Sequence, residues 1–136
     1  MSMNKIILAM LLLSSALFSL EWTKDLDTAF ALAKKEQKDV MVLVEGENCR
    51  WCKKFKHRTL TDESVEKRLE KFILVKVMRE DDSVMSVLPP VEGVPTVFFM
   101  TEERAVIKEI LGYRNIRKFT DCIDSVENRT AYNCNQ

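Results

Sequence analysis

Two cysteines with two residues between them, Cys49 and Cys52, are the residues of this sequence with the clearest chemistry. They follow an apolar run and precede the basic residues Lys53 and Lys54. Cysteines at this spacing form a redox-active dithiol, supply half of a metal site, or close a structural disulfide. The choice among these three depends on the compartment and on the element that carries the cysteines.

The N-terminus indicates an exported protein. A positive charge at Lys5 precedes an apolar stretch over residues 6–13, and small residues then lead to a charged segment that opens at Glu21. This is the layout of a secretory signal peptide. An uncleaved anchor is the less favoured alternative, because the stretch falls short of the roughly 20 residues of a membrane-spanning helix. We therefore expect a signal peptide over residues 1–19, with an approximate cleavage site, and a periplasmic or secreted protein.

The charge balance argues against nucleic acid and anionic membranes as partners. The chain has 21 basic and 21 acidic residues, which are interspersed, and its formal net charge is zero. It has only three glycines and three prolines and shows no repeat or linker. We expect one domain over residues 20–127 and a C-terminal tail over residues 128–136. We also expect a monomer without a cofactor and, after signal cleavage, without membrane contact.

The hydrophobic pattern alternates between helix and strand. Apolar residues at helical spacing predict helices, and short continuous apolar runs predict buried strands. Strands separated by helices pair in parallel, whereas the last two predicted strands flank a polar turn and form a hairpin. The predicted fold class is therefore α/β, with a mixed four-stranded sheet flanked by helices. The predicted helices cover residues 25–36, 49–56, 62–71, 82–88 and a stretch from about 115, and the predicted strands cover residues 40–44, 72–77, 97–100 and 105–111.

This assignment places Cys49 in the first turn of a helix that follows a buried strand. Backbone N–H groups and the helix dipole stabilise a thiolate at such a position. The spacing of Cys49 and Cys52 puts both sulfurs on one side of that turn, so they can close a disulfide with little backbone movement. The setting favours the redox dithiol.

In these features the chain resembles the thioredoxin superfamily, and the resemblance covers most of the mature sequence. Besides the Cys-x-x-Cys motif after a strand, residues 93–96 (Gly-Val-Pro-Thr) look like the family's cis-proline loop. Lys76 stands where family members often carry a buried lysine, and Gly112 stands where they often carry a glycine. Residues 49–54 (CRWCKK) and 62–65 (DESV) are most similar to the secreted thioredoxin-related proteins of bacteria. The resemblance implies a thioredoxin-like fold and a thiol–disulfide oxidoreductase.

The resemblance also implies different roles for the two cysteines. Cys49 would be the exposed nucleophile, whose thiolate is stabilised by the helix N-terminus, Arg50 and Lys53 and opposed by nearby glutamates. Cys52 would be the resolving thiol that attacks the mixed disulfide and releases the partner.

Three further residues would handle the substrate. Pro95, in a cis peptide bond, would bend the loop beside the sulfurs, and the backbone of Val94 would pair with an extended substrate strand. Trp51 is expected to be an exposed aromatic that helps to hold a partner, or otherwise a helix residue that packs on the loop.

Two departures from thioredoxin itself concern the first cysteine and the proton route. Asn48 replaces the tryptophan that usually precedes the first cysteine, and Leu43 replaces the buried aspartate that accepts a proton from the second cysteine. Glu45 lies on the same strand face as Leu43 and nearer the cysteines. Our hypothesis is that Glu45 takes over this role, coupled to Lys76. The alternative is a solvated loop glutamate.

The sequence contains two further cysteines, Cys122 and Cys134. Cys122 adjoins the apolar face of the last helix, and Cys134 lies in the polar tail. In an oxidising compartment the two can form a structural disulfide that attaches the tail to the helix. The alternatives are a tail thiol that exchanges with Cys49 or with another chain, because four cysteines allow three pairings.

Three functions follow from these observations. The favoured one is a periplasmic or secreted thiol–disulfide oxidoreductase with protein thiols and disulfides as substrates and, if it is a reductase, a membrane electron donor. The second is a module that holds Cu(I) or Zn²⁺ on Cys49 and Cys52, although we identify no complete set of metal ligands. The third is a binding protein in which the same pair is only a structural disulfide.

Overall fold

The structure, a computed structural model, describes residues 20–136, so the predicted signal peptide lies outside the described residues. Within this range none of the helices is long and apolar enough to span a membrane. The elements follow one another as β1 (Trp22–Thr23), α1 (Leu26–Glu36), β2 (Val40–Glu45), α2 (Arg50–Arg58), α3 (Glu63–Leu69), β3 (Ile73–Met78), α4 (Asp82–Met85), β4 (Thr96–Met100), β5 (Val106–Leu111) and α5 (Ile116–Glu127).

The strands form one mixed sheet in the order β1-β3-β2-β4-β5. The pairs β1–β3 and β3–β2 are parallel, and the pairs β2–β4 and β4–β5 are antiparallel. The predicted α/β class and mixed sheet are confirmed, but the sheet has five strands where we predicted four. The additional strand, β1, is two residues long, which is too short to produce an alternating or continuous apolar pattern.

Side chains at the helix N-termini explain where the helices begin. Asp25, Asp62, Asp81 and Asn115 each accept a hydrogen bond from a backbone N–H of the following turn. These bonds satisfy N–H groups that have no partner inside the helix. The capped helices therefore start within one residue of their predicted positions. The helix predicted to reach residue 88 ends at Met85, because the prolines at 89–90 disfavour helical backbone just before them.

The sheet separates two hydrophobic cores. Alternate residues of β2 face opposite sides, so Met41 and Leu43 join one core with α2 and α5, while the valines at 40, 42 and 44 join the other with α1. Because both faces are covered, every residue of β2 is buried. Glu45 follows Leu43 on the same face of the strand and is therefore directed toward the side of the sheet that carries α2.

A disulfide between Cys122 of α5 and Cys134 attaches the C-terminal tail to the domain. Cys122 is 1% exposed and Cys134 is 3% exposed, so the bond is buried. Arg114 donates from Nε to the backbone carbonyl of Cys134 at 2.6 Å. The tail is thus fixed both covalently and by a charge-assisted hydrogen bond.

The same tail covers part of the open edge of β5. The side-chain amide of Asn135 accepts a hydrogen bond from the Leu111 N–H at 2.8 Å and donates to the Glu109 carbonyl at 3.1 Å. These are the two backbone groups that a neighbouring strand would bind. Lys108 adds hydrogen bonds from Nζ to two tail carbonyls. The tail therefore satisfies polar groups that an edge strand otherwise presents to other chains.

Candidate redox site

Cys49 and Cys52 are joined by a disulfide at the N-terminus of α2. Cys49 is the N-cap residue, and its Sγ accepts a hydrogen bond from the backbone N–H of Cys52 at 3.1 Å. Cys49 is half-buried, whereas Cys52 is only 3% exposed. A partner molecule can therefore reach the first sulfur far more easily than the second.

Contacts from the β3 side hold the loop between β2 and Cys49. The Glu47 N–H donates to Oε1 of Glu80 at 3.0 Å. A Cβ on Gly46 would lie 3.0 Å from Cγ2 of Val94, so a larger residue here would force the Val94 side chain to shift. Asn48 adopts a φ of 52°, in the left-handed region that asparagine tolerates better than most residues. The sequence analysis did not identify Gly46, although a glycine just before a Cys-x-x-Cys motif is a detectable signal of close backbone approach.

The loop that contains Pro95 lies at the same end of the sheet as the cysteines. The Val94–Pro95 peptide bond is cis. The register of the antiparallel pair places Thr96, the first residue of β4, beside Val44 near the end of β2. The hydroxyl of Thr96 donates to the Gly93 carbonyl at 2.6 Å, which closes the loop. Pro95 is buried and Val94 is half-buried.

Glu45 forms an ion pair with Lys56 of α2, with 2.5 Å between Oε1 and Nζ. Glu45 is 8% exposed and is the last residue of β2, so it is not a solvated loop residue. The coupling that we expected between Glu45 and Lys76 is absent from the described ion pairs. Lys76 is exposed, and its Nζ lies 4.6 Å from the ring centroid of Trp22. This cation–π contact joins Lys76 to β1, a strand that we did not predict, and the carboxylate of Glu45 is paired with Lys56 instead.

Trp51 lies on the surface beside the cysteines and is 46% exposed. Its ring centroid is 5.7 Å from that of Tyr113, which follows β5. Tyr113 packs edge-on against Phe55 at 6.4 Å, and Phe55 packs edge-on against Phe119 at 5.1 Å. Trp51 is thus the outer member of a row of rings that begins in the core. Tyr113 is not among the predicted site residues, because no local pattern relates residue 113 to the cysteine motif.

The basic residues of α2 surround the Trp51 ring. The Arg50 guanidinium lies 5.6 Å from its centroid, and Lys54 Nζ lies 4.7 Å from it. Lys54 Nζ is also 4.8 Å from the ring centroid of Tyr113. Positive charge therefore adjoins the N-terminus of α2, which is the arrangement that stabilises thiolates in general.

In the part of the chain that the structure describes, the fold does not bring a set of metal ligands to Cys49 and Cys52. Within residues 20–136, no group of three or more His, Cys, Asp or Glu side chains is placed to hold a metal ion. Cys122 and Cys134 are bonded to each other, in contact with Ser125, and do not join Cys49 and Cys52. The structure therefore places the cysteine pair, the Pro95 loop, Glu45 and Trp51 at one end of the sheet. Lys76 lies on the neighbouring strand β3 without an ion pair to Glu45, and the second disulfide lies apart, between α5 and the tail.

Comparisons with known proteins concern the family and the fold. The sequence model of the thioredoxin-like family matches residues 21–101, whereas none of the curated proteins compared matches the chain. A thioredoxin from Thermus thermophilus superposes with a TM-score of 0.69 at 24% identity, covering 80% of this chain and 88% of that one.

Two further solved structures have the same fold. The DsbH oxidoreductase gives a TM-score of 0.71 at 17% identity, covering 82% of this chain and 86% of its own. The periplasmic thioredoxin SoxS from Paracoccus pantotrophus gives 0.55 at 14% identity, covering 68% of this chain and 98% of its own. With the sequence match over more than half of its length and the fold shared with these proteins, the chain belongs to the thioredoxin-like family.

Proposed function

We propose that this protein is a periplasmic or secreted thiol–disulfide oxidoreductase that acts on protein disulfides through Cys49 and Cys52. The observation that carries the proposal is the difference in exposure between the two sulfurs at the N-terminus of α2, half-buried for Cys49 and 3% exposed for Cys52. Export is supported by the signal-like layout of residues 1–19, and the comparison with a periplasmic thioredoxin agrees with it.

In the reductive direction, the Cys49 thiolate attacks one sulfur of the partner's disulfide. That S–S bond breaks, a mixed disulfide forms, and the partner's other sulfur leaves as a thiolate that takes up a proton. The Cys52 thiolate then attacks Sγ of Cys49, which releases the second partner thiol and forms the Cys49–Cys52 disulfide. The partner gains two electrons and two protons, and the dithiol loses them. Oxidation of a partner follows the same steps in reverse.

The N-terminus of α2 favours this chemistry because Cys49 is the N-cap residue. The Cys52 N–H that donates to Cys49 Sγ in the disulfide would donate to the thiolate in the reduced protein. The adjacent cations Arg50 and Lys53 favour the thiolate further.

Proton transfer to and from Cys52 needs a group near a buried thiol. We assign this role to Glu45, which is buried on the α2 side of the sheet. Lys56, four residues after Cys52 and thus one helical turn further, holds the carboxylate by an ion pair. In this proposal Glu45 is coupled to Lys56, where we had expected Lys76.

The Pro95 loop would hold the substrate. Gly46 and Val94 are in close contact, so this loop adjoins the segment that leads into Cys49. An extended substrate strand would form hydrogen bonds to the Val94 backbone while its cysteine faces Cys49. In the reductive direction, the oxidised pair would recover its two electrons from a membrane protein.

The test is the equilibrium of the Cys49–Cys52 pair against a graded glutathione buffer, followed by Trp51 fluorescence, in a protein with Cys122 and Cys134 both changed to serine. A potential near about −270 mV supports a reductase, and one near about −120 mV supports an oxidant or isomerase. The variant Cys52→Ser should accumulate a mixed disulfide with a substrate, whereas Cys49→Ser should not. A pair that never exchanges would contradict the proposal and leave a binding protein with a structural disulfide.

A further inference from the structure

We propose that the protein prefers disulfide substrates that carry acidic side chains beside the reactive cysteine. The recognition surface would be the cationic aromatic patch, which consists of Arg50, Trp51, Lys54 and Tyr113. This inference rests on the thiol–disulfide exchange proposed above and adds the class of substrate.

The first observation is the position of the Lys54 ammonium between two rings. Its Nζ lies 4.7 Å from the Trp51 centroid and 4.8 Å from the Tyr113 centroid. The two π faces attract the charge and restrict a side chain that otherwise samples many rotamers. A lysine ammonium has three N–H donors and no acceptor. A ligand carboxylate would therefore meet a charge that is already positioned, which lowers the entropy cost of binding.

The second observation is that the positive charges of the patch are not neutralised. The ion pairs within residues 20–136 involve Lys56, Arg68, Lys71, Arg104 and Arg129. Arg50, Lys53 and Lys54 take part in none of these pairs. The sequence outside the described range contains no Asp or Glu, so it offers no side-chain carboxylate to them. In a chain of zero net charge, this is a local excess of positive charge next to Cys49.

The third observation is that one carboxylate near the cysteines, that of Glu80, lies on the other side of the site. The Glu47 N–H binds the side chain of Glu80, just after β3, whereas Tyr113 follows β5. In the sheet order, β3 and β5 lie on opposite sides of the central pair β2 and β4. The Glu80 carboxylate is therefore on the β3 side of Cys49, away from the cations of the patch.

These observations fit a peptide partner of one kind. Its cysteine would face Cys49, an apolar or aromatic neighbour would contact the exposed ring of Trp51, and an Asp or Glu would bind Lys54 and Arg50. A basic residue at the same position would be repelled by both cations, so charge would set the preference and the rate of encounter.

The experiment uses three short peptides that differ only beside one cysteine, which has two aspartates, two asparagines or two lysines as neighbours. Each cysteine is linked by a disulfide to 2-mercaptoethanol, a neutral group. The protein, reduced at Cys49 and Cys52, is mixed with each peptide, quenched with acid, and the second-order exchange rate is measured by mass spectrometry. We expect the aspartate peptide to react roughly three- to tenfold faster than the lysine peptide at low salt. The ratio should fall toward one at 1 M salt, where screening acts within about 3 Å.

Variants locate the effect on the patch. Lys54→Gln should lower the ratio of aspartate to lysine rates, and Lys54→Arg should retain it. Lys67→Gln, which removes an exposed lysine from α3, is the matched control and should leave the ratio as in the wild type. A wild-type ratio near one, or an equal drop in both lysine-to-glutamine variants, would overturn the proposal. Exchange with none of the three peptides would instead overturn the proposed function, so the two failures are distinguishable.

Discussion

The Nζ of Lys56 lies 2.5 Å from Oε1 of Glu45, so a residue one turn beyond Cys52 is bound to the last residue of β2. The carboxylate is buried and the ammonium is 37% exposed on its side chain. This pair links the helix that carries the cysteines to the centre of the sheet. It also places a carboxylate on the side of the sheet that carries α2, the helix in which Cys52 is buried.

Changing Glu45 should weaken the fold more than breaking an exposed pair does. Glu45→Gln removes the charge that compensates Lys56, and partial exposure of Lys56 limits the loss to about 1–2 kcal/mol. Urea unfolding at pH 7 measures the difference. The matched control is Glu127→Gln, whose partner Lys71 is 69% exposed on its side chain, with an expected loss below about 0.5 kcal/mol. Equal losses in the two variants would show that the pair of Glu45 and Lys56 contributes no more to the free energy of unfolding than the exposed pair.

The same variant tests the proton role separately from stability. If Glu45 exchanges a proton with Cys52, Glu45→Gln should change the pH dependence of thiol exchange and slow release of the partner from the mixed disulfide. The initial attack by Cys49 should be affected less, since it takes place before Cys52 reacts. An unchanged pH profile would restrict Glu45 to the structural role.

The two disulfides should be reduced in a defined order. Cys49 is half-buried, whereas Cys122 and Cys134 are 1% and 3% exposed, so a small dithiol reaches the first bond more readily. Under native conditions with limiting dithiothreitol, alkylation and peptide mass analysis should find Cys49 and Cys52 labelled first. In urea, where burial is lost, both pairs should react together. Early labelling of the second pair in the native protein would contradict this order.

The tail should protect the edge of β5 from hydrogen exchange. Asn135→Ala removes the acceptor for the Leu111 N–H, so this amide should exchange roughly 3- to 10-fold faster. NMR of the exchanging amides measures the change. The Arg79 N–H, which donates to the Glu45 carbonyl far from the tail, is the internal control and should keep its rate. A uniform increase at both amides would indicate general destabilisation instead.

The helix cap at Asp62 should make stability depend on pH in the acid range. Hydrogen bonds from the Ser64 hydroxyl and then from the Val65 N–H lower the pKa of Asp62 below its usual value. A lowered pKa in the folded state stabilises the protein above the unfolded pKa of about 3.9, and this contribution is lost as pH falls through the folded-state pKa. Asp62→Asn, which retains a capping oxygen, should therefore differ most from the wild type at pH 7 and least near pH 2.

Urea unfolding of both proteins across this pH range is the measurement. Asp82→Asn serves as the control, since Asp82 accepts none of the capping hydrogen bonds although its neighbour Asp81 does. A wild-type advantage that grows on acidification would have the wrong sign for a depressed pKa and would contradict the cap as its source.

Local patterns were sufficient for the order of the elements from α1 to α5. The continuous apolar run of β2 and the capping residues Asp25, Asp62 and Asn115 act over a few neighbouring residues, so the sequence displays them directly. The same holds for the position of the cysteines at the start of α2, which follows from a strand, a short loop and a helix in succession. Strand β1 was not predicted, because two residues are too few to show the alternation of apolar and polar residues that indicates a strand.

The amino-acid sequence by itself determined the α/β class and the location of Cys49 at a helix N-terminus, because each depends on residue type and short spacing. The loop around Pro95 was implied by the resemblance of residues 93–96 to the thioredoxin superfamily. Only the tertiary structure decided that Glu45 binds Lys56 rather than Lys76, that Tyr113 stands beside Trp51, and that Asn135 covers β5. These contacts join segments far apart in the chain. Their partners are set by strand register and helix packing, and a side chain's nearest neighbour across a fold leaves no pattern in the residues around it.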